Sequence, residues 1–186
     1  KNPLGRTEWD KLYGLLTGHE EEAEQAFEAE AGAFEAVSQE EPTGKTVAFF
    51  YITSTGEANV RKSADYLPKM IELAGGSYVP QTADADENAL STMNMQMETF
   101  YAEAKDADCL IYNSTIDGEL QTLDELLQKS PLLVDFKAVK NGNVWCTGKN
   151  MFQETMGLGN MILDIHAVLS EDAPDEAELH YLHRLR

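Results

Sequence analysis

Tyr51, Tyr112 and Trp145 stand at or near the ends of apolar runs, and Arg61 and Lys149 follow two of those runs within about ten residues. Ring faces supply contact area to an organic ligand, and a guanidinium or ammonium pairs with carboxylates. Such a set grips a large, partly apolar molecule with a few anionic groups; it does not make or break bonds. Three segments follow the runs, Thr53 to Arg61, Asn113 to Asp117, and Thr147 to Gln153. In an open α/β sheet ligands collect beyond the carboxyl ends of the strands, which is where these segments would lie. The candidate ligand-binding residues are therefore Tyr51, Arg61, Tyr112, Asn113, Trp145, Lys149, Met151 and Gln153. Each ring has core packing as its alternative, and Arg61 reads equally as a residue of a surface helix.

Catalytic and metal signals are weak beside this. There is no P-loop, no complete Gly-x-Gly-x-x-Gly after a strand and no Gly-x-Ser-x-Gly elbow. Met156-Gly157-Leu158-Gly159-Asn160 has two glycines at the right interval, but inside a helical pattern. His19, His166, His180 and His183 fall on predicted helices or the tail; His180 and His183 have the spacing of one helical face, suiting a metal or, more simply, a helix dipole. Met93, Met95 and Met97 alternate with polar residues, as for a soft-metal site or for the lining of a core. Cys109 and Cys146 lie in apolar strand-like contexts without Cys-x-x-Cys spacing and read as buried free thiols, although a single disulfide is permitted.

The elements that must position these residues follow from periodicity. Apolar positions at spacings of three and four predict helices before Gly18 and again from Ala23 to Val37, with Glu20 to Glu22 at the positive end of the second. Gln39 to Gly44 is a linker. Thr46 to Ile52 is a nearly continuous apolar run, as for a strand buried on both faces of a parallel sheet. Helices are predicted over Ala64 to Leu73, interrupted by Pro68, then Met97 to Lys105, Leu120 to Lys129 and Gln153 to Leu169. Strands are predicted at Ser77 to Pro80, Ala107 to Tyr112 and Val144 to Cys146. The alternation specifies an α/β fold, a three-layer lobe with a mostly parallel, Rossmann-like sheet, preceded by a helical connecting region.

Charge narrows the partners. With 33 acidic against 14 basic residues, a formal charge of −19 disfavours nucleic acid and anionic membrane surfaces. No apolar run reaches the roughly 18 residues that span a bilayer as a helix.

Ordered phrases add a resemblance. Pro3-Leu4-Gly5-Arg6-Thr7-Glu8-Trp9, Ala74-Gly75-Gly76-Ser77-Tyr78, Met97-Glu98 with Ala107 to Tyr112, and Val139-Lys140-Asn141-Gly142-Asn143-Val144 together resemble the solute-binding proteins of ABC importers that carry iron–siderophores, haem and cobalamin. The resemblance implies a connecting region over 1–41 and a C-terminal ligand-binding lobe over 45–186, without the N-terminal lobe. It implies a non-enzyme with no intrinsic cofactor, located in the periplasm or lipid-anchored at the cell surface. Its cargo would be an iron chelate, haem or corrinoid, and its partners an ABC permease with its ATPase. Glu98 matches the acid that docks on permease arginines, and Asn150 to Glu154 the segment that faces the cleft. Surface around Trp9 and Tyr13 would then dimerise the isolated lobe. The rival reading is a flavodoxin-like or Rossmann-like nucleotide- or flavin-binding enzyme domain, and a third is an interaction module whose helices pack on a partner.

Overall fold

The computed structural model describes residues 20–82, 91–148, 158–170, 174 and 176–186. Strand β1, Thr46–Ile52, is its centre. Five of its seven residues are buried, Val47 and Phe49 toward one core and Ala48, Phe50 and Ile52 toward the other. A strand covered on both faces needs apolar residues at every position, which is why the run lacks alternation. β1 pairs in parallel with β5, Cys109–Tyr112, along one edge. Its other edge is divided: the first half pairs in parallel with β3, Ser77–Val79, and the second antiparallel with β2, Ala58–Arg61. Beyond β5 lie parallel β6, Val144–Thr147, and antiparallel β7, Leu182–Arg184; β4, Thr92–Met95, pairs antiparallel outside β2. The sheet thus has a parallel centre, β3, β1, β5 and β6, with antiparallel strands on its flanks.

One face carries α1, Glu20–Ser38, α2, Tyr66–Leu73, and α6, Leu158–Leu169, with α1 lying along α6. The other carries α3, Met97–Ala104, α4, Leu123–Lys129, a 3-10 turn over Pro131–Asp135 and the short α5, Lys137–Lys140. Phe50, Phe100 and Phe136 stack through this second layer, with centroids 4.7 and 5.6 Å apart.

Local chemistry sets the ends of the helices. The predicted start of α2 at Ala64 moves to Tyr66, which places Pro68 in the first turn, where a missing N–H costs no intrahelical bond. Its end is a Schellman motif: Gly76 N–H bonds Ile71 O and Gly75 N–H bonds Glu72 O, each at 3.0 Å, with Gly75 at φ 88°. α4 begins at Leu123 with Thr122 and Glu125 forming a capping box.

Several expectations change. Thr53 to Gly56 is a hairpin turn into β2, so Arg61 ends a strand and does not lie on a surface helix. His183 lies in β7 with His180 just before it, so the two share no helical face. Met95 and Met97 are core residues and Met93 packs against them. Cys109 and Cys146 are free, buried and assigned to opposite faces of the sheet, which separates them beyond disulfide reach. Burial pushes the Cys146 thiol up to about 11. The predicted helix before Gly18 and the beginning of the Gln153–Leu169 helix fall outside the described residues.

Candidate functional site

The rim beyond the carboxyl ends of β1 and β5 is built by two turns and one hairpin face. After β1, Thr53 N–H bonds Glu57 O at 2.8 Å and Gly56 N–H bonds Thr53 O at 2.9 Å, closing the turn with Gly56 at φ 82°. Its hydroxyls join one network: Thr53 Oγ1 lies 2.9 Å from Thr55 Oγ1, and Thr55 donates to Glu57 at 3.0 Å. Gln96, just before α3, donates to the other Glu57 oxygen at 2.9 Å. That bond brings the amino end of α3, and with it the exposed Glu98 in its first turn, beside the rim.

After β5 the chain leaves the sheet through Asn113, whose N–H bonds Phe50 O at 2.7 Å. Asn113 Oδ1 accepts the Thr115 N–H and hydroxyl at 3.2 and 2.6 Å, a local turn that fixes the next residues. Buried Ser114 ties this turn to the end of β6: its N–H donates to Thr147 Oγ1 at 2.9 Å and its hydroxyl donates to Thr147 O. Ile116 projects at 67% exposure from the loop so held.

The hairpin supplies the face. Register aligns Tyr51 with Asn59 and Asn59 with Asn94, a cross-strand row in which Asn59 Nδ2 donates to Asn94 Oδ1 at 2.7 Å. One step along, Arg61 stands opposite Thr92. Tyr51, Asn59 and Arg61 are all partly exposed, whereas the intervening Ala58 and Val60 point into the core. Arg61 backbone is clamped by Tyr78, whose hydroxyl accepts its N–H at 2.9 Å and donates to its carbonyl at 2.8 Å; burial, chiefly, pushes that phenol above its ordinary range.

The structure therefore sets Tyr51 beside Asn113 near the carboxyl ends of β1 and β5. It places Arg61 on the same hairpin face as Asn59 but two residues along antiparallel β2, away from those ends, and separates other candidates from them. Tyr112 is wholly buried, its ring edge-on to Phe50 at 5.9 Å. Its hydroxyl has no hydrogen-bond partner among the described residues, and burial first, the Asp117 carboxylate second, raise its ionisation above the ordinary phenol range. Trp145 has no exposed surface; Nε1–H bonds Asn143 at 2.6 Å and the Arg184 guanidinium stacks 4.7 Å from its ring. Both rings take the core alternative. Lys149, Met151 and Gln153 lie outside the described residues. Asn59, Asn94 and Ile116 were missed by sequence reasoning; the alternation of Ala58-Asn59-Val60-Arg61 is the signal that could have found the first.

A cavity of about 300 Å³ lies at the opposite, amino-terminal end of the strands, against Lys45, Asp108, Asn143 and Arg184. Asp108 is spent there on structure, accepting Thr46 N–H at 2.9 Å and Lys137 Nζ at 2.6 Å.

No protein-family model matches the chain. An uncharacterized lipoprotein of Methanocaldococcus jannaschii is 30% identical over 186 residues, covering 97% of this chain and 42% of that protein. Among solved structures, a protein of the ABC-type Fe3+-hydroxamate transport system of Saccharomonospora viridis superposes with a TM-score of 0.69 at 20% identity, over 88% of this chain and 55% of its own. The haem-complexed IsdE of S. aureus superposes with a TM-score of 0.65 at 13% identity, over 91% of this chain and 66% of its own. The chain thus has the fold of ABC-type solute-binding proteins and spans about half the length of the relatives it matches.

Proposed function

We propose that the chain is the ligand-gripping lobe, 45–186 with the helical region 1–41 as connector, of an extracytoplasmic solute-binding protein serving an ABC importer. Its cargo is an iron chelate, haem or a corrinoid, held against a second lobe and passed to a permease and its ATPase. The observation that carries this reading is the rim itself. A solvent-facing polar row, Tyr51–Asn59–Asn94, crosses the sheet one residue before the carboxyl end of β1, and the Asn113–Ile116 turn stands beyond the carboxyl end of β5, where an open α/β sheet receives ligands. The likeness to solved iron-hydroxamate and haem binding structures, and to a lipoprotein in sequence, supports both the cargo class and the location.

Glu98 docks the lobe on permease arginines. It is exposed, it opens α3, and the Gln96–Glu57 bond sets it beside the rim. An acid there steers encounter and fixes orientation more than it adds affinity. The test is Glu98→Arg in the full-length protein that contains this chain, with ligand binding and cellular uptake measured separately. Binding should be unchanged and uptake lost. Normal uptake would remove the docking role; failure of the unaltered protein to bind haem, cobalamin or any ferric siderophore would remove the capture reading.

A further inference from the structure

We propose that this rim selects metal chelates of zero or positive net charge and rejects polyanionic ones. The proposal rests on the ligand-capture reading and names which part of that cargo class the site takes.

The first argument is what the rim offers. Thr53, Thr55, Asn59, Asn94 and Thr115 present hydroxyls and amides, which bond equally to neutral carbonyls, amides and hydroxyls of a ligand. None of these groups stabilises an anion by charge.

The second is that two of the described cations, Arg61 on the hairpin face and Lys129 beside the Asn113–Asp117 turn, already hold carboxylates. Arg61 Nη1 lies 3.3 Å from Asp65, with only 15% and 7% of the two side chains exposed, and the guanidinium also faces the Tyr66 ring at 6.0 Å. Lys129 is ion-paired to Asp117. An anionic ligand reaching either cation must displace a carboxylate, a largely buried one at Arg61 and an exposed one at Lys129, and then share the site with it, so two negative groups replace one. Arg61, the group best suited to a ligand carboxylate, thus already has one of its guanidinium nitrogens on a carboxylate.

The third is the surplus of negative charge. Among the described residues the Glu57 carboxylate is bonded to neutral donors, the Thr55 hydroxyl and the Gln96 amide, which do not cancel its charge. Glu57 closes the β1–β2 turn, its carbonyl accepting Thr53 N–H. The chain as a whole carries −19, a field that attracts cationic chelates and repels anionic ones before contact.

The test compares chelates of similar size and different charge on the full-length protein, by quenching of intrinsic fluorescence. The probes are a cationic ferric trihydroxamate, neutral cyanocobalamin, haemin with ionised propionates and an anionic ferric tris-catecholate. The expected result is that the tighter of the first two binds at least about tenfold better than either anion, with a gap that narrows as salt screens the field. Asp65→Asn with Asp117→Asn, which releases Arg61 and Lys129, should raise affinity for the anions and lower it for the cationic chelate. If an anionic chelate binds the unaltered protein as tightly as the cationic or neutral one, the charge rule is overturned while capture stands. If no chelate of any charge binds, the capture reading itself falls and takes the rule with it. The comparison on the unaltered protein needs no variant to fold.

Discussion

Asp164 on α6 is 1% exposed, and its carboxylate accepts the backbone N–H groups of His180, Tyr181 and Leu182 at distances from 2.6 to 3.2 Å. The chain entering β7 is thus pinned to a helix by charge-assisted bonds. Asp164→Asn keeps the volume but turns one acceptor into a donor facing N–H groups. It should destabilise the protein by about 2–3 kcal/mol, seen as a lower urea midpoint with an unchanged slope. Asp108 gives a pH dependence of definite sign. Burial alone would raise its ionisation, but the Lys137 ammonium and the Thr46 N–H outweigh burial and hold it below the usual carboxylate range. A carboxylate depressed on folding stabilises above its unfolded value, and that contribution is lost as pH falls through the folded one. Lys137 is raised by the same contact, so its contribution is present below its ordinary value and lost in strong alkali. Lys137→Met should therefore flatten the acid limb of the stability–pH curve below about pH 4 while leaving the curve's neutral shape intact. A wild-type acid limb in that variant would mean that the pair does not set the slope.

The capping box of α4 is a prediction at the scale of an element. Thr122 Oγ1 accepts Glu125 N–H at 3.3 Å, and Glu125 reaches back to the N–H groups of Gln121 and Thr122 at 2.7 and 3.2 Å. Leu123 N–H bonds Arg186 O at 3.0 Å, so the same helix end anchors the residues that follow β7. Thr122→Ala should cost about 1 kcal/mol and, in hydrogen exchange, open the α4 amino end and residues 182–186 together; loss confined to α4 would break the link. What could be read in advance at this scale depended on how unbroken the apolar run was. β1 has seven residues with no polar interruption and α2 ends at Gly75-Gly76, so pattern alone located both. β5 and β6, four residues each and buried throughout, also stand out, whereas the comparably short β2, β4 and β7 mix polar with apolar residues over too few positions for a pattern to show, and their place comes from pairing with a neighbour. The candidate site suffered for the same reason. Its face lies on the mixed strands β2 and β4, so Asn59 and Asn94 were not singled out, while Tyr112 and Trp145, aromatic residues on apolar central strands, drew attention although both are buried. An aromatic at the end of a buried strand is ambiguous until the neighbouring strand fixes which side it faces.

The molecule as a whole folds against its own charge. It has 33 acidic and 14 basic residues, and several of the bases are bound in local pairs, Lys129 to Asp117, Lys137 to Asp108, Lys140 to Asp135 and Arg186 to Glu176. These pairs are largely at the surface, where each contributes little and salt weakens it. The unpaired excess acts differently. Bringing −19 into a compact body raises repulsion summed over the whole chain, and folding concentrates it. Screening acts on both, but the long-range sum of many like charges exceeds a few short-range exposed pairs, so the net effect of salt has a definite direction. Raising NaCl from about 10 mM to about 500 mM shortens the screening length from roughly 30 Å to a few ångströms. The urea midpoint should rise over that range at pH 7, and lowering pH toward the pI of about 4.4 should reduce the salt effect as carboxylates neutralise. A midpoint that falls with salt would mean that the surface pairs dominate, and that the acidity read from composition is balanced locally in the folded state.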